Sequence, residues 1–148
     1  MSLIRAIASS ASGLAAQRVR MDVVANNVAN IDTTATPEGG PYRRQVVRFA
    51  SGDPALPFSG VIRKFLGGGS TGVVLTQVAV DTQTPGRTVY DPSHPDADPV
   101  TGYLEMPNVD LVQEMTDLTS ANRSYQANVT VLNAVKQMAL RALDITSR

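Results

Sequence analysis

The chain has 148 residues, thirteen basic and thirteen acidic side chains and no net charge, so no overall charge draws it toward nucleic acid or anionic lipid. It contains no cysteine, which excludes disulfides, thiolate catalysis and cysteine-ligated metal. No apolar run approaches the ~20 residues of a membrane-spanning helix.

All nine prolines fall between Pro37 and Pro107, and ten of the eleven glycines between Gly39 and Gly102, Gly13 being the exception. Proline and glycine interrupt helices. The sequence therefore divides into a helical segment over 1–31, a breaker-rich centre over 32–107 and a second helical segment over 108–148. The expected fold class is α+β: long N- and C-terminal helices packed as a coiled-coil-like pair, with a small antiparallel β domain or extended segment between them.

In the first segment a 4,3 spacing selects Leu3, Ile7, Ser10, Leu14, Gln17, Met21, Val24, Val28 and Ile31, of which seven of nine are apolar. A 3.5-residue repeat held this long points to a coiled coil; two amphipathic helices packed on a small sheet are the alternative. Ser2 is placed to cap this helix. Its first turns, rich in serine and arginine and free of acid before Asp22, also resemble an organelle transit peptide. The seam running through them to Ile31 favours a structural segment. The helix closes on "ANNVAN", whose Asn26, Asn27 and Asn30 all lie off the seam. Either Asn30 caps the helix and the others are solvated, or the three amides bond neighbouring subunits and fix register.

The centre reads as short strands and turns: "YRRQVVRF" (42–49), "GVIRKFL" (60–66) and "TGVVLTQVAV" (71–80), with "TVY" and "GYLEM" as added edges. "GGGSTG" (67–72) fits a dinucleotide-binding pattern, yet a strand follows it where that motif needs a helix, so it reads as a hairpin loop. "DPSHPDAD" gathers Asp91, His94, Asp96 and Asp98; Asp-Pro and His-Pro steps read first as turns and only second as a metal site. Charge is segregated: residues 1–64 carry eight basic and four acidic groups, and residues 81–117 one basic and eight acidic. Contacts are expected between the acids of one subunit, including Asp91, Asp96 and Asp98, and Arg43, Arg44, Arg63 and Lys64 of another. Solvated faces are the alternative.

The second helical segment repeats the spacing in Leu111, Met115, Leu118, Asn122, Tyr125, Val129, Leu132, Lys136, Ala139 and Leu143, eight of ten apolar or aromatic. Asn108 is placed to cap it, with Asp110 in the first turn. At ~1.5 Å per residue the two helices span roughly 45 and 58 Å, a pair too thin to bury its own apolar surface, so each pair reads as one stave of a larger bundle. The two seams, the three asparagines and Asn122, Gln126 and Asn128 form the expected subunit interface. With one histidine and no isolated carboxylate pair in an apolar setting, no enzyme, cofactor or metal is expected.

"ANNVANIDT" after an amphipathic helix, followed by "VYDPSHPDAD", "GYLEMPNVD" and "VQEMTDLTSANRSYQANVTVLNAVKQMALRALDI", resembles the bacterial flagellar axial family of rod and hook subunits. The downstream strings are most similar to proximal-rod members, with another rod or hook subunit as the alternative. The resemblance covers residues 1–31 and about 88–146. It implies a structural subunit of the basal-body rod that polymerises through its terminal helices into a torque-transmitting shaft around the export channel. It also implies passage through the flagellar type III apparatus without a cleaved signal and a location in the rod crossing the periplasm. The implied partners are copies of itself, other rod subunits, the export apparatus and basal-body ring proteins, with no nucleic acid and no small-molecule substrate.

Overall fold

The computed structural model describes residues 3–52 and 72–146. Within them the order is helix α1 (Leu3–Ala29), strands β1 (Gln45–Ser51), β2 (Val73–Val80), β3 (Thr88–Tyr90) and β4 (Tyr103–Glu105), and helix α2 (Leu111–Thr146). The fold is α+β, two long terminal helices flanking two small antiparallel ribbons. The predicted strand over 60–66, the loop "GGGSTG" up to Thr71, and Ser2 as a cap lie outside the described residues.

Each helix ends for a local reason. At the C-terminus of α1, both the backbone N–H and the side-chain amide of Asn30 donate to the Asn26 carbonyl, at 3.2 and 2.8 Å. The Asn30 side-chain oxygen then accepts from Thr33. Asn30 thus closes the helix by giving a last-turn carbonyl a second donor. At the start of α2 the cap is Asp110 rather than Asn108: its carboxylate accepts the N–H groups of Val112 and Gln113 at 2.8 and 3.3 Å. Asn108 does something else. It accepts from the Arg44 N–H at 2.7 Å and donates to the carbonyls of Asp81 and Thr84, tying the central loops to the base of α2.

The helices run antiparallel, since Gly13 meets Asn128 near one end and Asn27 meets Glu114 near the other. With that register α2 extends roughly two turns beyond the start of α1. The seam between them differs by one position in every heptad from the one the apolar residues select. Toward α1, α2 turns Glu114, Leu118, Ala121, Tyr125, Asn128, Leu132, Val135 and Ala139, all buried or half-buried. Leu118, Tyr125, Leu132 and Ala139 are shared with the predicted line. Met115, Asn122 and Lys136 are instead exposed, and Glu114, Ala121 and Val135 take the buried positions. Gly13 permits the close crossing: a Cβ there would stand 3.1 Å from the Asn128 amide.

Strands β1 and β2 pair from Gln45↔Val80 to Ser51↔Val73, with a bulge at Thr76 that leaves Phe49 opposite Leu75. Alternate residues of β1 share a face, so their partners Val80, Val78, Leu75 and Val73 share it too, the bulge having reset the alternation. Ser12 of α1 pins this ribbon by accepting the Val73 N–H at 3.0 Å. The neighbouring Gly72 needs its positive φ of 116°, and a Cβ there would lie 2.7 Å from the Ser12 hydroxyl. "TVY" and "GYLEM" do not extend this sheet. They pair with each other, Thr88↔Glu105 to Tyr90↔Tyr103, as a separate ribbon, with the two tyrosine rings edge-on at 5.3 Å.

Asp110→Ala is expected to lower stability by about 1 kcal/mol, the usual worth of an N-cap, whereas a cap at Asn108 would leave Asp110→Ala near neutral; denaturant midpoints of wild type and Asp110→Ala separate these outcomes.

Candidate functional site

The most buried polar side chains of the molecule meet where α1, α2 and the segment entering β1 converge. Glu114 has 0% relative exposure and Asn27 has 1%. One Glu114 oxygen accepts from Arg44 Nε at 2.6 Å, and the other from Asn27 Nδ2 at 3.2 Å. Asn27 also donates to the Gln45 carbonyl at 2.9 Å, while its oxygen accepts from the Tyr42 hydroxyl and the Gln45 N–H, both at 2.9 Å. All the donors and acceptors of this amide are engaged inside the subunit. Where a bond from Asn27 to a neighbouring subunit was expected, the amide fastens α1 to its own chain. Burial first, and the Glu114 carboxylate second, raise the Tyr42 hydroxyl pKa above its ordinary value of 10.0.

A second layer of charge surrounds this joint. Arg20 on α1 pairs with Asp117 on α2 at 2.7 Å, and Arg44 reaches the other Asp117 oxygen at 3.4 Å. Arg43 pairs with Glu105 at 2.8 Å. The basic and acidic segments do meet, as their opposite charges suggest, but Arg43 and Arg44 close their pairs within one subunit. Arg63 and Lys64 lie outside the described residues.

The acidic loop after β3 is organised by its own turns. Asp91 accepts from the Ser93 hydroxyl and N–H, and Asp98 from the Val100 N–H and Thr101 hydroxyl. These bonds hold both carboxyls below the ordinary carboxylate range. Asp96 accepts from Thr34 at 2.7 Å, and His94 Nδ1 accepts the Asp96 N–H at 3.1 Å. The four side chains serve neighbouring amides and hydroxyls, and no acid or histidine cluster able to hold a metal occurs among the described residues.

The outward faces carry the remaining predicted interface residues. Ile7, Leu111, Met115 and Leu143 are exposed, Leu143 at 66%. Leu14, Met21, Val28, Ile31 and Val129 are half-buried, and Val24 is buried against the rest of the subunit. Of the polar positions, Asn26, Asn122 and Gln126 are exposed, with Gln126 donating to Asn122 one turn back; Asn128 instead packs on Gly13. Sequence reasoning missed Ile4, Val112 and Leu140, all exposed apolar residues. It also missed Glu114 and Tyr42 as parts of the joint. A lone glutamate among Leu111, Leu118 and Ala121 was the available signal.

Comparison with known proteins gives a consistent result. Residues 7–35 match the family model described as flagella basal body rod protein, and residues 100–145 match the flagellar basal body rod FlgEFG protein C-terminal model. The chain is 44% identical to the flagellar basal-body rod protein FlgC of Borreliella burgdorferi, with 98% of each chain covered. It is 43% identical to the FlgC of Bacillus subtilis, covering 98% of this chain and 99% of the relative. It is 42% identical to the FlgC of Salmonella typhimurium, with 98% of each covered.

Two outcomes follow from the joint. Asn27→Ala should cost about 2–4 kcal/mol, because it strands several buried partners at once, while Asn26→Ala on the exposed face should stay within about 0.5 kcal/mol; chemical denaturation measures both. The raised Tyr42 pKa means that its neutral form is favoured in the fold. Its contribution is fully present below pH 10 and is lost as pH rises through the folded value. Alkaline stability curves of the wild type should fall in that window, and Tyr42→Phe should remove part of the slope.

Proposed function

The chain belongs to the FlgC family of flagellar basal-body rod proteins and is a structural subunit of that rod, and we propose that it polymerises through the outward faces of its two terminal helices. The observation that carries this reading is the apolar surface the helix pair leaves uncovered. Ile4 is 78% exposed, Val112 75%, and Met138, Leu140 and Leu143 are exposed toward the C-terminal end of α2. Such a surface on long helices gains stability only when neighbouring helices cover it.

On this reading the helices of many subunits form the wall of a shaft that transmits torque and encloses the export channel. Copies of the chain and other rod subunits are its neighbours, and the export apparatus and basal-body ring proteins are its wider partners. The exposed amides Asn26, Asn122 and Gln126 set register between helices, since polar groups in a helical interface favour one alignment over others. The subunit acts in the rod crossing the periplasm and is exported without loss of an N-terminal signal. Its role is mechanical, with no catalytic step, cofactor, nucleic acid or small-molecule substrate.

Leu143→Asp tests the assembly faces. It should leave the thermal unfolding of the isolated subunit within about 0.5 kcal/mol of wild type, as for other exposed positions, yet block incorporation into basal bodies and abolish swimming. Normal basal bodies from that variant would remove the C-terminal end of α2 from the interface.

A further inference from the structure

The joint at Glu114 is built so that neither helix completes it. Of Asn27's four hydrogen bonds, three go to Tyr42 and Gln45 on the segment that leads into β1. Glu114 accepts one bond from Asn27 and one from Arg44, again on that segment. If α1 and α2 were packed together with residues 42–45 undocked, Glu114 would sit at the seam with a single amide donor and no cation. Burying a carboxylate without a cation is strongly unfavourable, because the low-dielectric interior does not replace its lost hydration. Arg20 does not substitute for Arg44, since Asp117 already holds it at 2.7 Å.

We propose that residues 42–45 are a latch that makes pairing of the terminal helices at this end conditional on docking of the central segment. Toward the far end no ionised side chain is buried among the described residues, and Gly13, Asn128 and Val135 pack there instead. Zippering can therefore begin there, but it stops short of Glu114 until Arg44 arrives. The consequence is an order of events: the β1 segment folds onto the helices before the Ala29–Leu111 end of the pair becomes a rigid surface. This rests on the rod reading only in treating the helix pair as an assembly surface, and the folding measurements below stand apart from any assembly assay.

Amide hydrogen exchange on the full chain tests the latch by comparing peptides from the helix ends (residues 20–29 and 112–121) with peptides from β1 and β2. In Arg44→Met, protection should fall at the helix ends and in the strands together, by at least about tenfold, as expected when one partner of a buried pair is removed. In Arg44→Met/Glu114→Gln, which removes both charges, helix-end protection should return to within about threefold of wild type. Loss confined to the strands in Arg44→Met would mean that Arg44 merely fastens the ribbon to a pair already formed, and would overturn the latch. Equal helix-end loss in the single and double variants would overturn it as well. Should Arg44→Met fail to fold at all, Glu114→Gln alone decides: helix ends that outlast the strands support the latch, and helix ends that still open together with them contradict it.

Discussion

A carboxylate with no exposure to solvent sits where the two long helices converge, and the geometry around it follows from the need to neutralise it. Arg44 must reach Glu114, at 2.6 Å, so the chain between α1 and β1 has to turn back over the helix ends. Asn27 must present its amide to the same carboxylate and to Gln45, which fixes the rotation of α1. Asn108 then accepts from the Arg44 backbone and gathers the 81–84 turn against the base of α2. One buried charge in this way sets the placement of both helices and the first ribbon. A buried ion pair adds little net stability over an apolar equivalent, but removing one partner is severely destabilising. Its contribution here is to define a single arrangement.

That definition is needed because the apolar core is slight. The buried apolar side chains among the described residues are Ala16, Val23, Val24, Leu104, Ala121 and Val135, mostly small. Helix pairing on such side chains tolerates sliding, since alanine and glycine offer few shapes to interlock. The close packing of Asn128 on Gly13 and the polar contacts Arg20–Asp117 and Asn27–Glu114 supply the register that the core does not. Larger apolar side chains, among them Met115, Met138 and Leu143, are turned outward instead. The subunit keeps its small and polar residues for internal alignment and leaves bulky ones exposed.

This division explains what was legible in the sequence. The two helices were plain from the absence of proline and the scarcity of glycine at both ends, and the strands within 42–49 and 71–80 were visible in their β-branched residues, whereas their pairing with each other was not. The seam was only half legible. Counting apolar residues does not distinguish a face turned inward from one turned outward; Met115 and Leu111 were therefore drawn into a line that Glu114 and Ala121 occupy in the fold. The destinations of Arg43 and Arg44 depend on turns that bring Glu105 and Glu114 back across some sixty to seventy residues, which no local pattern encodes. Asp110 displaced Asn108 as the cap because Asn108 bonds three central-loop groups at once.

The central claim is a division of labour: the joint at Glu114 is internal to each subunit, and the outward apolar faces of the helices are what subunits share. A density map of the assembled basal-body rod, resolved to side chains, tests it most directly. The account predicts that Asn27 and Glu114 keep Tyr42, Arg44 and Gln45 of their own subunit as partners, while Met138, Leu140 and Leu143 are covered by helices of neighbours. A rod in which Asn27 or Glu114 is bonded across a subunit boundary, or in which the end of α2 faces solvent, would contradict it.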